Sequence, residues 1–417
     1  MDYASSVLLV VGLFCFGYPF VMSWYWIVGA LLFYFIRERH QPRSDSPPEL
    51  PSYPLVSLLL PCFNESAQLH ETFAAIARIQ YPNFEVVAIN DGSSDDTANI
   101  LDGFTRQMSN FRVANLVQNQ GKSTALNVGA FMARGQILVC IDGDALIDPH
   151  AITWFVRRFQ ADTTLGAVTG NPRIRNRTSL LGRLQVGEFS SIIGVIKRTQ
   201  SVAGFLFAVS GVICAFRKLS VMQAGMWSPQ AITDDVDLTL RIQIAGWRVT
   251  YEPNALCWIL MPETLRGLWR QRLRWSEGGA QASLACFVDI VRHMRGGMML
   301  VWSTFMMSTL WALCMTVLMP IWLVAGIFDP NVRVDFNFMH QWGGEVLIVT
   351  YFIQAVVALW LDRRYEKNSF KSLYWIVWYP LLFWMLQSVT AVLGLLKAIR
   401  RPAYAKGKWV SPDRGIR

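Results

Sequence analysis

Four short clusters carry side chains that could act on a ligand. Asp142-Gly143-Asp144 sets two carboxylates at i and i+2. On extended backbone they point the same way, and the glycine between them lets a bulky group approach. Such a pair of hard oxygen donors can hold Mg²⁺ or Mn²⁺ against a diphosphate; a solvated acidic turn is the plainer alternative. Asn90-Asp91-Gly92-Ser93 offers a carboxylate to a sugar or base, or an Asx turn that caps the next helix. Thr233-Asp234-Asp235 reads either as a helix N-cap or as a general base with one carboxylate aimed into a cleft. Gln271-Arg272-Leu273-Arg274-Trp275 suits a departing diphosphate and a stacked sugar ring, and equally suits anchoring at a membrane surface.

These clusters need a frame that sets them at one edge. Residues 55–60, 84–89 and 136–141 are short apolar runs, each ending in polar turn residues. Helical stretches at 71–80, 96–108 and 122–134 lie between them. Strand–helix–strand repetition builds an α/β fold with a mostly parallel sheet covered by helices. Ligands of such sheets sit beyond the carboxyl ends of the strands. Asn90-Asp91 and Asp142 each follow a strand at that edge, and 233–235 precedes a helix at 238–245.

Composition places this frame on a membrane. The 417 residues are 53% hydrophobic and 16% charged. A soluble protein carries about a quarter charged residues, which argues against a simple cytosolic enzyme. The middle of the chain is too polar for a pure transporter. Net charge is +9, but the basic residues flank apolar blocks and do not interleave with aromatics. That is a positive-inside pattern, and no nucleic-acid partner is expected.

The apolar blocks are 3–36, 298–328, 346–361 and 373–396. They divide the chain into one or more N-terminal transmembrane segments (1–40), a Pro/Ser-rich linker (41–54) and an α/β domain (55–262). Interfacial amphipathic helices (263–297), transmembrane helices (298–397) and a basic tail (398–417) complete the chain. The first block is too long for one straight span and barely long enough for two, so Gly17-Tyr18-Pro19 either kinks a helix or turns a hairpin. No basic segment precedes it, which speaks against a cleaved signal peptide. Arg37-Glu38-Arg39-His40 places the linker and the α/β domain in the cytoplasm. Three simple C-terminal spans would leave the basic tail outside. Either the first block is a hairpin or the last, interrupted by Pro380, is re-entrant.

Other chemistries lose support. The seven cysteines stand singly, with no CxxC pair, and read as reduced packing thiols. Gly121-Lys122-Ser123-Thr124 looks like the end of a P-loop, but the required first glycine falls at Leu116. No HExxH or GxSxG occurs.

Together and in order, the four clusters resemble the D, DxD, TED, QxxRW signature of processive family 2 glycosyltransferases. Residues 61–65, 118–122, 168–175, 252–264 and 409–415 are similar to the bacterial poly-β-1,6-N-acetyl-D-glucosamine synthases of biofilm matrix. The resemblance runs from about Phe20 to the end. Its TED reads Thr-Asp-Asp here, with the last carboxylate kept as Asp235.

The resemblance implies a GT-A-like domain in a multi-pass protein of the bacterial inner membrane, its catalytic domain cytoplasmic. It implies polymerisation of N-acetylglucosamine from UDP-N-acetylglucosamine by an inverting transfer, with help in exporting the polymer. Asp91 would contact the uridine part, with Asn64, Glu65 and Lys122 nearby. Asp142 and Asp144 would hold Mg²⁺ (or Mn²⁺), and Asp235 would take the acceptor proton, supported by Thr233 and Asp234. Gln271, Arg272 and Arg274 would serve the diphosphate and acceptor region, and Trp275 the terminal sugar. A small membrane partner subunit and cyclic di-GMP activation rest on the resemblance alone. The alternatives are another polysaccharide (chitin-, hyaluronan- or cellulose-like) and a polyprenyl-phosphate glycosyltransferase.

Overall fold

Apolar runs too short for helices and rich in β-branched residues make the sheet. Its strands are β1 Val56–Cys62, β2 Phe84–Asp91, β3 Phe111–Leu116, β4 Ile137–Ile141, β5 Leu146–Ile147, β6 Leu165–Ile174, β7 Ile213–Arg217 and β8 Arg248–Ile259. The structure, a computed structural model, describes residues 3–293, 296–328, 330–378 and 383–402. Pro380 and the motif at 409–415 lie outside them.

The spatial order is β3-β2-β1-β4-β7-β6-β8-β5. From β3 to β4 every pairing is parallel, as the strand–helix alternation predicts. Strand β7 then runs antiparallel to both β4 and β6. The reversal shapes the site. Ile141 pairs with Ile213, so the chain entering β7 stands beside the chain leaving β4 at Asp142. Each face of the sheet carries its own apolar core, one around Leu58, Trp154 and Phe155, the other around Leu59, Leu138 and Trp227. Burial of such side chains, at roughly 1.5–3 kcal/mol each, holds the strand ends in place.

The first apolar block forms one helix, Tyr3–Phe33, continued by a π turn at Tyr34–Glu38. Pro19 lies inside it, and no hairpin is made. A proline has no N–H to give the carbonyl four residues back. The Cys15 carbonyl instead accepts the Trp311 indole N–H at 2.9 Å. Long helices come later at Gly296–Phe328 and Pro330–Asp362. Val10–Glu38, Gly296–Leu318 and Gly344–Asp362 are each long and apolar enough to cross a membrane. Around the block at 373–396 the described residues form a 3₁₀ turn at Ser369–Ser372, a short helix Leu373–Ile376 and a helix Met385–Arg400.

Two of these membrane helices end on the α/β domain. The buried Arg198 guanidinium binds Glu38 at 2.9 Å and Asp362 at 3.2 Å, and Arg173 also pairs with Asp362. Glu38, Arg198, Asp362 and Arg173 are all 3% exposed or less. The ends of the first and third candidate spans therefore sit on one side. The helix Met385–Arg400 packs against the helix Leu265–Ala285, where Gly394 approaches so closely that a Cβ would lie 2.7 Å from the Glu277 nitrogen.

Candidate functional site

The carboxyl edge gathers the predicted residues. Cys62 of β1 pairs with Asn90 of β2, which puts Asn64 and Glu65 next to Asp91. Asn64 adopts φ 55°, and its side chain accepts the Ser94 N–H at 2.9 Å. The Glu65 N–H donates to the Thr97 hydroxyl at 2.9 Å. These bonds lock the loop after β1 onto the loop after β2.

Asp91 is fully buried and accepts two backbone N–H bonds, from Gln120 at 2.9 Å and Gly121 at 2.8 Å. Burial raises its pKa, against those two bonds. Gly121 has φ 94°, a conformation that favours glycine, and opens the helix Lys122–Met132. Asp91 thus fixes the loop that aims Lys122.

Lys122 lies at the centre. Its ammonium donates to Asp142 at 2.5 Å and to the Gly211 carbonyl at 3.2 Å. Burial disfavours its charge, but Asp142, Asp234 and Asp235 together hold its pKa above the ordinary value. Asp235 accepts the Gly211 N–H at 3.1 Å and the Val236 N–H at 2.9 Å. Burial raises its pKa, the Asp234 charge adds to that, and Lys122 opposes it. A carboxylate held so is the better proton acceptor near neutral pH. Thr233 is the N-cap residue of Asp234–Ile244, yet its side chain makes no cap bond.

The helix Leu265–Ala285 closes the other wall. A Cβ on Gly278 would lie 2.3 Å from the Thr233 hydroxyl oxygen, so only glycine lets this helix meet the Thr233–Asp235 segment. Gln271 is partly buried beside Met261, and Arg274 is exposed. Trp275 packs on the core of one sheet face. Arg272 is buried. Its guanidinium is 2% exposed, pairs with Glu188 at 2.6 Å and stacks 4.5 Å from the Trp275 ring. A guanidinium paired with a buried carboxylate braces this helix against the one that ends at Glu188.

The donor set suits a hard cation. Asp142 and Asp144 bring carboxylate oxygens, and burial with the nearby Asp142, Asp144 and Asp148 charges keeps the Cys257 thiol protonated. Among the described residues no three His, Cys, Asp or Glu gather for a metal. A cation held by Asp142 and Asp144 would need further ligands from substrate or water. Asp144 is 8% exposed, whereas the Asp142 side chain is 28% exposed.

Two glycines escaped the sequence reading. Gly211 bridges Asp235 and Lys122 through its own backbone, and Gly278 admits the second wall. Residues 203–212 before β7 are almost all small or apolar, with no pattern that would single out Gly211.

Residues 53–278 match the model of the family "Glycosyltransferase like family 2". The chain belongs to glycosyltransferase family 2. This family 2 enzyme is a UDP-sugar-dependent glycosyltransferase of polysaccharide synthesis and a membrane protein. It is 36% identical over 401 residues to a poly-β-1,6-N-acetyl-D-glucosamine synthase of Staphylococcus epidermidis, covering 95% of this chain and 97% of that one. It is 35% identical over 400 residues to the synthase of the same name from Staphylococcus aureus strain COL, with the same coverage. A solved mannosyltransferase from Pyrobaculum calidifontis, in complex with GDP-Man and Mn²⁺, shares the fold. Its TM-score is 0.60 at 18% identity, over 95% of this chain and 98% of that one. The GT-A-like α/β architecture expected from sequence is thus present.

Proposed function

We propose that this glycosyltransferase polymerises N-acetylglucosamine from UDP-N-acetylglucosamine into poly-β-1,6-N-acetyl-D-glucosamine, inverting the anomeric centre at each addition. The observation that carries this reading is Lys122, set among Asp142, Asp234 and Asp235 and joined to Asp235 through Gly211. Likeness to the staphylococcal synthases along almost the whole chain supports this product.

In this reading the donor lies at the carboxyl edge, its uridine near Asn64, Glu65 and Asp91. Asp142 and Asp144 would hold a divalent cation, Mg²⁺ or Mn²⁺, which would neutralise charge on the diphosphate. Asp235 accepts the proton of the acceptor hydroxyl as its oxygen bonds to the anomeric carbon. The bond from that carbon to the diphosphate oxygen breaks, and UDP leaves. Lys122 and Arg274 meet the charge that develops there, and preorganised groups of this kind supply a large share of catalysis. Gln271 lines the same wall, and Trp275 supports the terminal sugar. The buried Cys257 thiol stays protonated, so no cysteine nucleophile is invoked beside the Asp pair.

The enzyme is read as multi-pass in the bacterial inner membrane with the α/β domain in the cytoplasm. The shared anchorage of Glu38 and Asp362 on Arg198, and the basic flanks Arg37 to His40 and Arg363-Arg364, support this. Between the membrane helices lies a cavity of about 330 Å³, lined by Tyr18, Trp26, Trp311, Tyr351, Gln354 and Trp384 among others. Aromatic faces with an amide suit sliding sugar rings, which supports export by the same chain. The small partner subunit and cyclic di-GMP activation belong to the same reading through the resemblance.

The test is incubation of membranes with radiolabelled UDP-N-acetylglucosamine and Mg²⁺, then digestion with linkage-specific hydrolases. A water-soluble polymer cut only by a β-1,6-specific enzyme is expected. A chloroform-soluble product would mean a polyprenyl-phosphate transferase, and a chitinase-sensitive polymer another synthase.

A further inference from the structure

Behind the cleft lies a second lysine that the proposed transfer does not use. Lys197, on the helix Gly194–Ala203, is only 9% exposed. Its ammonium donates to the Thr169 hydroxyl at 3.1 Å and lies 5.9 Å from the Tyr251 ring. The same hydroxyl accepts the Ser210 N–H at 2.8 Å. A threonine oxygen has two lone pairs, and these two donors engage both. The next residue is Gly211, whose N–H binds Asp235 and whose carbonyl binds Lys122. One run of hydrogen bonds therefore joins Lys197, Thr169, the Ser210-Gly211 backbone and Asp235.

We propose that Lys197 is a positioning residue: through the Thr169 hydroxyl its ammonium clamps the Ser210-Gly211 backbone that aims Asp235 at the acceptor. This rests on the reading of Asp235 as the base.

The titratable and charged groups facing Lys197 are Asp235, Cys214 and Tyr251. Burial pushes the Cys214 thiol and the Tyr251 phenol up, so both stay neutral. The neighbouring Arg198 is committed to Glu38 and Asp362. Burial pulls Lys197 down to about 8, against the attraction of Asp235. Its charge is thus present at neutral pH and is lost as pH rises through that value. The clamp loosens with it, while the donor contacts at the Asp91 edge do not depend on it.

The test uses the full chain in liposomes, with UDP release from UDP-N-acetylglucosamine followed from neutral to alkaline pH. The wild type should lose kcat on the alkaline side at constant donor KM. Lys197→Met should be slow and flat across the series with the same KM, since misplacing a catalytic group costs up to about 10²-fold. Lys197→Arg should recover rate and carry it further into alkali, because guanidinium stays charged. Hydrogen exchange over residues 204–212 should quicken in Lys197→Met. That readout needs no donor, so it decides the clamp even if the base or the sugar has been misassigned. Wild-type exchange in Lys197→Met would overturn the proposal. So would an unchanged alkaline limb, or equal losses in kcat and donor affinity that arginine does not rescue.

Discussion

The Lys122 ammonium sits 2.5 Å from Asp142, a carboxylate that ends a different strand–helix unit of the sheet. It also feels the charges of Asp234 and Asp235. In the proposed reading, one cation thus balances the metal-holding and proton-accepting sides of the cleft.

Removing it should change the acid side of the pH profile. Lys122 lowers the Asp235 pKa, so Lys122→Met should raise it. A raised base pKa moves the acidic limb of kcat to higher pH. Residual transfer by Lys122→Met, followed against pH, should show that shift. An unmoved limb would separate Lys122 from Asp235.

The cation site makes a second prediction. Asp144→Asn and Asp142→Asn should each lower polymer synthesis by orders of magnitude, and chelation by EDTA should abolish it in the wild type. Mg²⁺ or Mn²⁺ added back should restore it. Full activity in EDTA would remove Asp142 and Asp144 from the metal role.

Arg272 and Glu188 should behave as a buried pair, each 2% exposed or less. Arg272→Met strands the Glu188 charge and should cost about 3–5 kcal/mol, read by thermal unfolding. The double variant Arg272→Met with Glu188→Leu should recover much of that, since a packed apolar pair is often neutral. No recovery would show that Arg272 does more than brace the helix.

Much of the cleft was legible in sequence because carboxylates at strand ends obey topology. Strands β1, β2 and β4 follow from apolar runs bounded by turn residues, and they carry Asn64, Asp91 and Asp142 to one edge. The second half of the sheet was not legible. Strand β7 is short and reverses direction, and β6 and β8 are buried along nearly their whole lengths, so neither shows the alternation that marks a half-buried strand. Arg272 looked like its neighbour Arg274 in sequence. Only the helical face separates them, and the partner Glu188 comes from a remote helix. Whether the first apolar block turned back could not be read from Pro19, because the compensating donor, Trp311, lies almost three hundred residues later.

Gly278 offers a purely steric test. In Gly278→Ala the methyl would meet the Thr233 hydroxyl at 2.3 Å. Overpacking of this kind costs roughly 1–3 kcal/mol and should push the Asp234-Asp235 segment out of place. Transfer should fall while donor binding by calorimetry is kept. Pairing it with Thr233→Ala, which removes both the hydroxyl and the methyl that crowd the new Cβ, should recover part of the rate.

Asp235 as the base is the claim on which the rest depends. The measurement is polymer yield and calorimetric donor affinity for Asp235→Asn beside Asp234→Asn and Asp234→Glu. Asparagine keeps the size and accepts the Gly211 N–H but takes no proton. Asp235→Asn should bind UDP-N-acetylglucosamine as the wild type does and lose transfer by about 10²–10⁴-fold, while Asp234→Glu stays active. Transfer abolished by Asp234→Asn and spared by Asp235→Asn would move the base to Asp234 and contradict the proposed mechanism.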